Sequence, residues 1–186
     1  MDFGLTPEQL NLKNRVKTFC EKEFNPNYAL MLDKTEQYPM NLYKKAAKQG
    51  FTSLIIPKTY GGTEQGYLAA CLAMEEMCQA DSSLGLACMI GSFGSDLLLM
   101  HGTQTQKQQL LPPLSNGETI LAAAFTEPTR GTDISTVETT ATKTGNSWTI
   151  NGTKTLITNA TTANHIIVLC QQATKTHHEK AKHCLS

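Results

Sequence analysis

The stretch Ala122-Ala123-Ala124-Phe125-Thr126-Glu127-Pro128-Thr129-Arg130-Gly131-Thr132-Asp133 decides how this chain is read. Its small residues suit a strand that delivers Thr126 to a turn at Pro128, where proline presets φ. Gly131 permits close backbone approach, and Thr132 adds a hydroxyl. A turn of this kind can aim hydroxyls and backbone N–H groups at an anionic or heteroaromatic ligand. Taken by itself, the pattern is more simply a plain β-turn.

Downstream, the sequence keeps a β character. Threonine recurs, and residues 137–143 and 147–150 are β-prone runs around Gly145-Asn146, a credible hairpin turn. Asn151-Gly152 is the strongest short hairpin signal, because both central residues of a type I′ turn need positive φ. Residues 154–158 and 165–170 supply two further expected strands. The terminal His183-Cys184-Leu185-Ser186 resembles the opening of another strand, so the β region is expected to be incomplete, with an unpaired edge.

Upstream, the sequence is helical. Thr6-Pro7-Glu8-Gln9 combines an N-cap, a proline at the first helical position and a Gln three residues on. The helix it starts is expected to run to about Phe24. A second helix begins near Pro39 and carries Leu42, Tyr43, Ala46 and Ala47, with Gly50 as a left-handed stop. Residues 65–79 form a third. Residues 84–100 are apolar nearly all round and are expected to be one buried helix. Thr103 and Gln106 make a second capping box, and Pro112-Pro113 should stop the helix that follows. The expected fold class is α+β: an all-α domain over residues 1–118, then a small, incomplete antiparallel β-barrel-like domain over 119–186.

Bulk properties narrow the function. With 16 basic and 16 acidic side chains, the 186-residue chain has zero formal charge and no basic field for nucleic acid. No stretch approaches the roughly 18 uninterrupted apolar residues of a membrane span, and the start lacks a leader pattern. A cytoplasmic protein is expected. The six cysteines form no C-x-x-C pair, and Cys71, Cys78 and Cys88 read as small buried hydrophobes. Phosphate-loop, dinucleotide-fingerprint, zinc-protease and serine-elbow motifs do not occur. Glu75 and Glu76 are adjacent on a helix and point about 100° apart, which suits solvated charges better than a catalytic pair.

Two elements, taken together, carry a resemblance. Thr126-Glu127-Pro128-Thr129-Arg130-Gly131-Thr132-Asp133 is similar to the T-E-P-x-x-G-S-D turn of the acyl-CoA dehydrogenases. Asn151-Gly152-Thr153-Lys154-Thr155-Leu156-Ile157-Thr158-Asn159-Ala160 resembles their N-G-x-K-x-W-I-T-N-G element. Leu5-Thr6-Pro7-Glu8-Gln9 and Ile56-Pro57-Lys58-Thr59-Tyr60-Gly61-Gly62 look like the family's opening helix and its I-P-x-x-Y-G-G loop.

The resemblance implies an FAD-dependent oxidoreductase of fatty acid metabolism, performing α,β-dehydrogenation of an acyl-CoA thioester. Ala123, Phe125, Thr126, Gly131 and Thr132 would border FAD from one segment. Leu156, Ile157 and Thr158 would cover it from the other, with the Thr158 hydroxyl near flavin N5. Thr132 would also meet the acyl-CoA, and Gly85 and Met89 would line an apolar acyl wall. The resemblance further implies an electron-transfer flavoprotein or similar acceptor, and a homo-oligomer at full length. The family's carboxylate base lies in a C-terminal helical domain that these residues do not include, so the chain alone is expected to be inactive and no residue is assigned as catalytic. Leu156 replaces the usual tryptophan, so some flavin-packing surface is lost. Arg130 replaces a small residue and either reaches a phosphate or faces solvent. Ala160 replaces a glycine, which puts the turn after Asn159 in question. Two other readings share the sequence: a flavin-dependent oxidase or monooxygenase of the same fold, and a non-catalytic acyl-CoA- or partner-binding module.

Overall fold

The computed structural model describes residues 4–172 and 183–185. The chain forms two compact units, Met1–Ile120 and Leu121–Ser186.

The first unit is helical. Helix α1 (Pro7–Glu23) begins with the expected capping box: the Thr6 hydroxyl accepts from the Gln9 N–H, and the Gln9 side chain accepts from the Thr6 N–H. Helix α2 (Pro26–Thr35) was not expected, although its signal is in the sequence. The Asn25 side chain caps the Asn27 and Tyr28 N–H groups, and Pro26 occupies the first turn. Helices α3 (Met40–Lys48) and α4 (Gly66–Ala80) fall close to their expected positions. The core gathers Leu12, Val16 and Phe19 of α1 with Leu42 and Ala46 of α3, Ala73 and Met77 of α4, and Phe51. Phe19 and Phe51 meet edge to face at 5.5 Å. Side chains of this size contribute roughly 1.5–3 kcal/mol each when fully buried.

The single apolar helix expected over 84–100 is instead two: α5 (Ser82–Ile90) and α6 (Ser95–His101). Gly94 sits at φ 95°, which ends one helical path and starts the other. At Gly91 a β-carbon would lie 2.4 Å from the Tyr43 ring, so packing against α3 also shapes the break. Nor are these helices wholly buried, since Leu86 and Met100 are exposed. Helix α7 (Gln104–Ser115) starts at the expected capping box but runs through Pro112 and Pro113. The carbonyls robbed of donors belong to Gln108 and Gln109, four residues back on exposed positions, where water can satisfy them. Glu75 and Glu76 both pair with Lys13 of α1, at 3.0 and 2.9 Å, and serve to join α4 to α1.

The second unit is a mixed sheet, not the expected antiparallel one. Strands β1 (Leu121–Ala124), β2 (Thr140–Thr144), β3 (Ser147–Asn151) and β4 (His165–Gln172) lie in the order β1-β4-β2-β3. A fifth, β5 (His183–Leu185), pairs antiparallel with β4. The β2–β3 hairpin turns at Gly145-Asn146 as expected. Strand β4, however, runs parallel to both β1 and β2. All four residues of β1 are buried, as befits a parallel strand covered on both faces. Parallel neighbours need a long crossover, and here that crossover is residues 125–164, which contain both motifs. No helix among the described residues is long and apolar enough to cross a membrane.

Candidate functional site

Strand β1 ends at Ala124, and the chain leaves the sheet at Phe125. Thr126 precedes a tight turn in which Glu127 and Arg130 exchange backbone hydrogen bonds, with the Glu127 N–H donating to Arg130 at 2.7 Å and the Arg130 N–H returning at 3.1 Å. Pro128 and Thr129 form the exposed tip. Arg130, half-buried, is held by groups of its own segment. Its guanidinium donates to the Thr129 and Thr136 carbonyls at 3.0 and 3.2 Å and pairs with Glu138 at 3.2 Å. Asp133 caps the following single helical turn, accepting from the hydroxyl and N–H of Ser135 and from the Thr136 hydroxyl. Those donors hold its carboxyl below the ordinary value.

The second motif was expected to form a hairpin at Asn151-Gly152 and a strand over 154–158. It does neither. Residues 152–159 form an irregular strap, with Leu156 at φ 55° and Asn159 at φ 64°, both in the left-handed region. Two such residues cannot belong to a regular strand. Gly152 is required by close approach, because a β-carbon there would stand 2.4 Å from the Thr139 hydroxyl and 2.7 Å from its Cα. Ala160 is accommodated without difficulty: the left-handed residue is Asn159, and the Ala160 N–H donates to Ile157 at 3.2 Å.

The structure brings the two motifs together. The Thr155 N–H donates to the Thr126 carbonyl at 3.0 Å. Lys154 Nζ donates at 2.9 Å both to the Phe125 carbonyl and to Glu127 Oε1. The Glu127 carboxylate, 4% exposed, also accepts from the Glu138 N–H, the Thr139 N–H and the Thr139 hydroxyl. Burial by itself pushes that carboxyl up, but these donors and the Lys154 ammonium outweigh it and bring the group down to about 2. Glu127 and Lys154 were visible in the sequence only as letters of the two motifs. Nothing in the spacing shows that residues 27 positions apart form one ion pair.

The remaining expected positions divide by exposure. Ala123 is buried in β1, while Phe125, Thr126 and Ile157 are half-buried. Gly131, Thr132 and Thr158 are exposed, and Leu156 is 89% exposed. A leucine in the left-handed region and open to solvent gains little from the protein's own packing, and such strain gathers at ligand-contacting positions. At Gly131 a β-carbon would meet nothing within 4 Å, so internal crowding does not demand glycine there.

In the helical unit, Met89 lines an open, largely apolar cavity of about 640 Å³ with Tyr67, Met74 and Phe93. Gly85 does not border it. A β-carbon at Gly85 would lie 2.7 Å from the Met77 backbone, so that glycine serves the approach of α5 to α4. Cys88 is buried as expected, and burial raises its thiol to about 12. Cys71 is exposed and borders the cavity instead.

Two family models cover nearly all of this architecture. The acyl-CoA dehydrogenase N-terminal domain matches residues 6–118, and the acyl-CoA dehydrogenase middle domain matches residues 122–185. The chain belongs to the acyl-CoA dehydrogenase family. It is 37% identical over 169 residues to the short-chain specific acyl-CoA dehydrogenase of Clostridium acetobutylicum, spanning 90% of this chain and 44% of that protein. The butyryl-CoA dehydrogenase of Megasphaera elsdenii superimposes over 100% of this chain and 50% of its own, with a TM-score of 0.84 at 29% identity. PigA, solved as an FAD complex, covers 100% of this chain and 49% of its own, with a TM-score of 0.86 at 27% identity. The chain thus spans about half the length of the relatives it matches. Acyl-CoA dehydrogenases are FAD-dependent.

Proposed function

We propose that these residues form the N-terminal helical domain, 1–118, and the middle β domain, 119–186, of an FAD-dependent acyl-CoA dehydrogenase acting on an acyl-CoA thioester. The observation that carries this reading is the joining of 125–127 to 154–155. Two segments that resemble flavin-binding elements are hydrogen-bonded to each other. They leave Thr132, Leu156 and Thr158 exposed beside them.

The residues present fit the flavin. Phe125 and Thr126 would border its edge, Gly131 and Thr132 would meet its pyrophosphate side, and Leu156, Ile157 and Thr158 would cover a face. Bound there, the flavin supplies the acceptor for a substrate hydride. The Thr158 hydroxyl can donate to the nitrogen that gains it. Met89 and its apolar cavity are suited to an acyl chain. Electrons would pass on to an electron-transfer flavoprotein or similar carrier, and the full-length protein would be a homo-oligomer in the cytoplasm.

The base is a different matter. In the β unit, the described carboxylates are Glu127, Asp133 and Glu138, and each is engaged. Glu127 accepts from four donors, Asp133 caps a turn and Glu138 pairs with Arg130. All three are already engaged by other groups of the unit. Purified chain given FAD, a short acyl-CoA and a dye acceptor is therefore expected to bind flavin without turning over, and robust dye reduction would sink that part of the reading. Binding is followed by quenching of flavin fluorescence. Thr158→Ala is expected to weaken it by about 1 kcal/mol, the ordinary worth of one hydrogen bond; an unchanged titration would remove Thr158 from the site.

A further inference from the structure

The Glu127–Lys154 pair has an unusual position for a buried salt bridge. It does not tie two core elements together. It ties the strap of residues 152–159 to the end of β1, with side chains only 2% and 10% exposed. Burying two charges is costly, and a buried pair often adds little net stability over an apolar substitute. What such a pair does supply is a defined geometry, since removing either partner leaves the other charge buried and uncompensated.

Three details give this pair a role beyond its own charges. First, Lys154 spends a second donor on the Phe125 carbonyl, a backbone group of the first flavin segment. That bond fixes the orientation of the Phe125–Thr126 peptide group and, by polarising it, strengthens its N–H as a donor. Second, the neighbouring Thr155 N–H holds the Thr126 carbonyl, so consecutive carbonyls of one segment are gripped by consecutive residues of the other. Third, the Glu127 carboxylate is locked from the opposite side by Glu138 and Thr139. The Thr139 carbonyl in turn accepts from the Gln171 N–H of β4 at 2.8 Å. The grip is anchored to the sheet and does not float with the turn.

We propose that Glu127 and Lys154 form a latch that positions the second flavin-contact segment, residues 155–158, on the first, residues 123–126, and so sets the spacing of the flavin cradle. The latch rests on the flavin reading for its purpose, but its geometry stands independently. Both are positioning residues, acting on FAD through Phe125, Thr126 and Thr158.

The test uses the 186-residue chain and two readouts. Amide hydrogen exchange is followed at Thr155 of the strap, with Ala141 of β2 and Val168 of β4 as references. In Lys154→Met, exchange at Thr155 is expected to rise about tenfold while the two references stay within about twofold, a local opening in place of a global one. Lys154→Arg, which keeps the charge and its donors, is expected to hold Thr155 closer to wild type than Met does. No change at Thr155 in Lys154→Met overturns the latch. A uniform rise at all three amides in both variants overturns it too, because the pair would then be an ordinary core contact. In the second readout, Lys154→Met is expected to bind FAD about tenfold more weakly, in line with buried acceptors left without their donor. Equal FAD affinity in the two proteins would remove the latch from the flavin site. If the wild-type chain leaves FAD fluorescence unchanged, the flavin reading fails by itself, and the exchange pattern still decides the latch.

Discussion

The helical unit and the β unit are held together by different physics. In the first, apolar side chains from α1, α3, α4 and the 51–54 turn interdigitate, and polar contacts such as Lys13 with Glu75 and Glu76 lie at the rim. In the second, three of the four residues of β1 are alanines, and the element beside it is irregular, with two non-glycine residues in the left-handed region. That element takes its order from one buried ion pair, the donors around it and the bond from the Thr155 N–H to the Thr126 carbonyl. The difference follows from what each has to do. A helical scaffold needs only apolar area, whereas a ligand cradle must leave its polar groups exposed and cannot be buried to hold its shape.

The contrast can be broken most severely on the helical side. Phe51 is buried and stacks edge to face on Phe19. Phe51→Ala is expected to cost about 3–5 kcal/mol, the usual range for a large core aromatic. Thermal melting followed by far-UV circular dichroism reads the helices, and an unchanged midpoint would show that this core is not what holds them.

On the β side, the expected effect is smaller and depends on pH. The Glu127 carboxyl has an ordinary value of 4.5 when unfolded and about 2 when folded, so the folded state binds fewer protons between those values. Its contribution is therefore complete above about 4.5 and is lost as pH falls through about 2. Trp148, the single tryptophan, lies in β3 and reports this unit. Denaturation read by its emission should show stability falling across that window. Glu127→Gln should start about 2 kcal/mol lower at neutral pH, because a charge-assisted bond is lost, and should show a shallower slope. Parallel curves for the two proteins would mean that Glu127 does not govern the acid limb.

The smallest effect sharpens the contrast by separating stability from binding. Leu156 sits at φ 55° and is 89% exposed. Leu156→Gly is expected to stabilise the β unit by about 1 kcal/mol, by removing the left-handed penalty, while weakening FAD. Leu156→Trp is expected to bind FAD more tightly, by restoring the larger surface. If glycine stabilised nothing and left FAD binding unchanged, Leu156 would be a solvent residue with no part in the cradle.

The sequence alone determined the order of the domains, the caps at Thr6 and Thr103, the Gly145-Asn146 hairpin and, through the two motifs, the family. Those features are local: a cap, a turn or a motif is written within a few neighbouring residues, so its chemistry can be read in place. The tertiary structure decided the rest. The break between α5 and α6 depends in part on Tyr43 of α3, which leaves no room for a β-carbon at Gly91, and the parallel direction of β4 depends on a crossover that ends 40 positions later. Above all, the threonine-rich, β-prone composition offered 154–158 as a strand, and only the fold showed it to be a strap. Its left-handed residues are tolerated because Thr155 and Lys154 are held by Thr126, Phe125 and Glu127. Contacts between distant positions carry no local pattern, which is why the latch became visible only when the chain was folded.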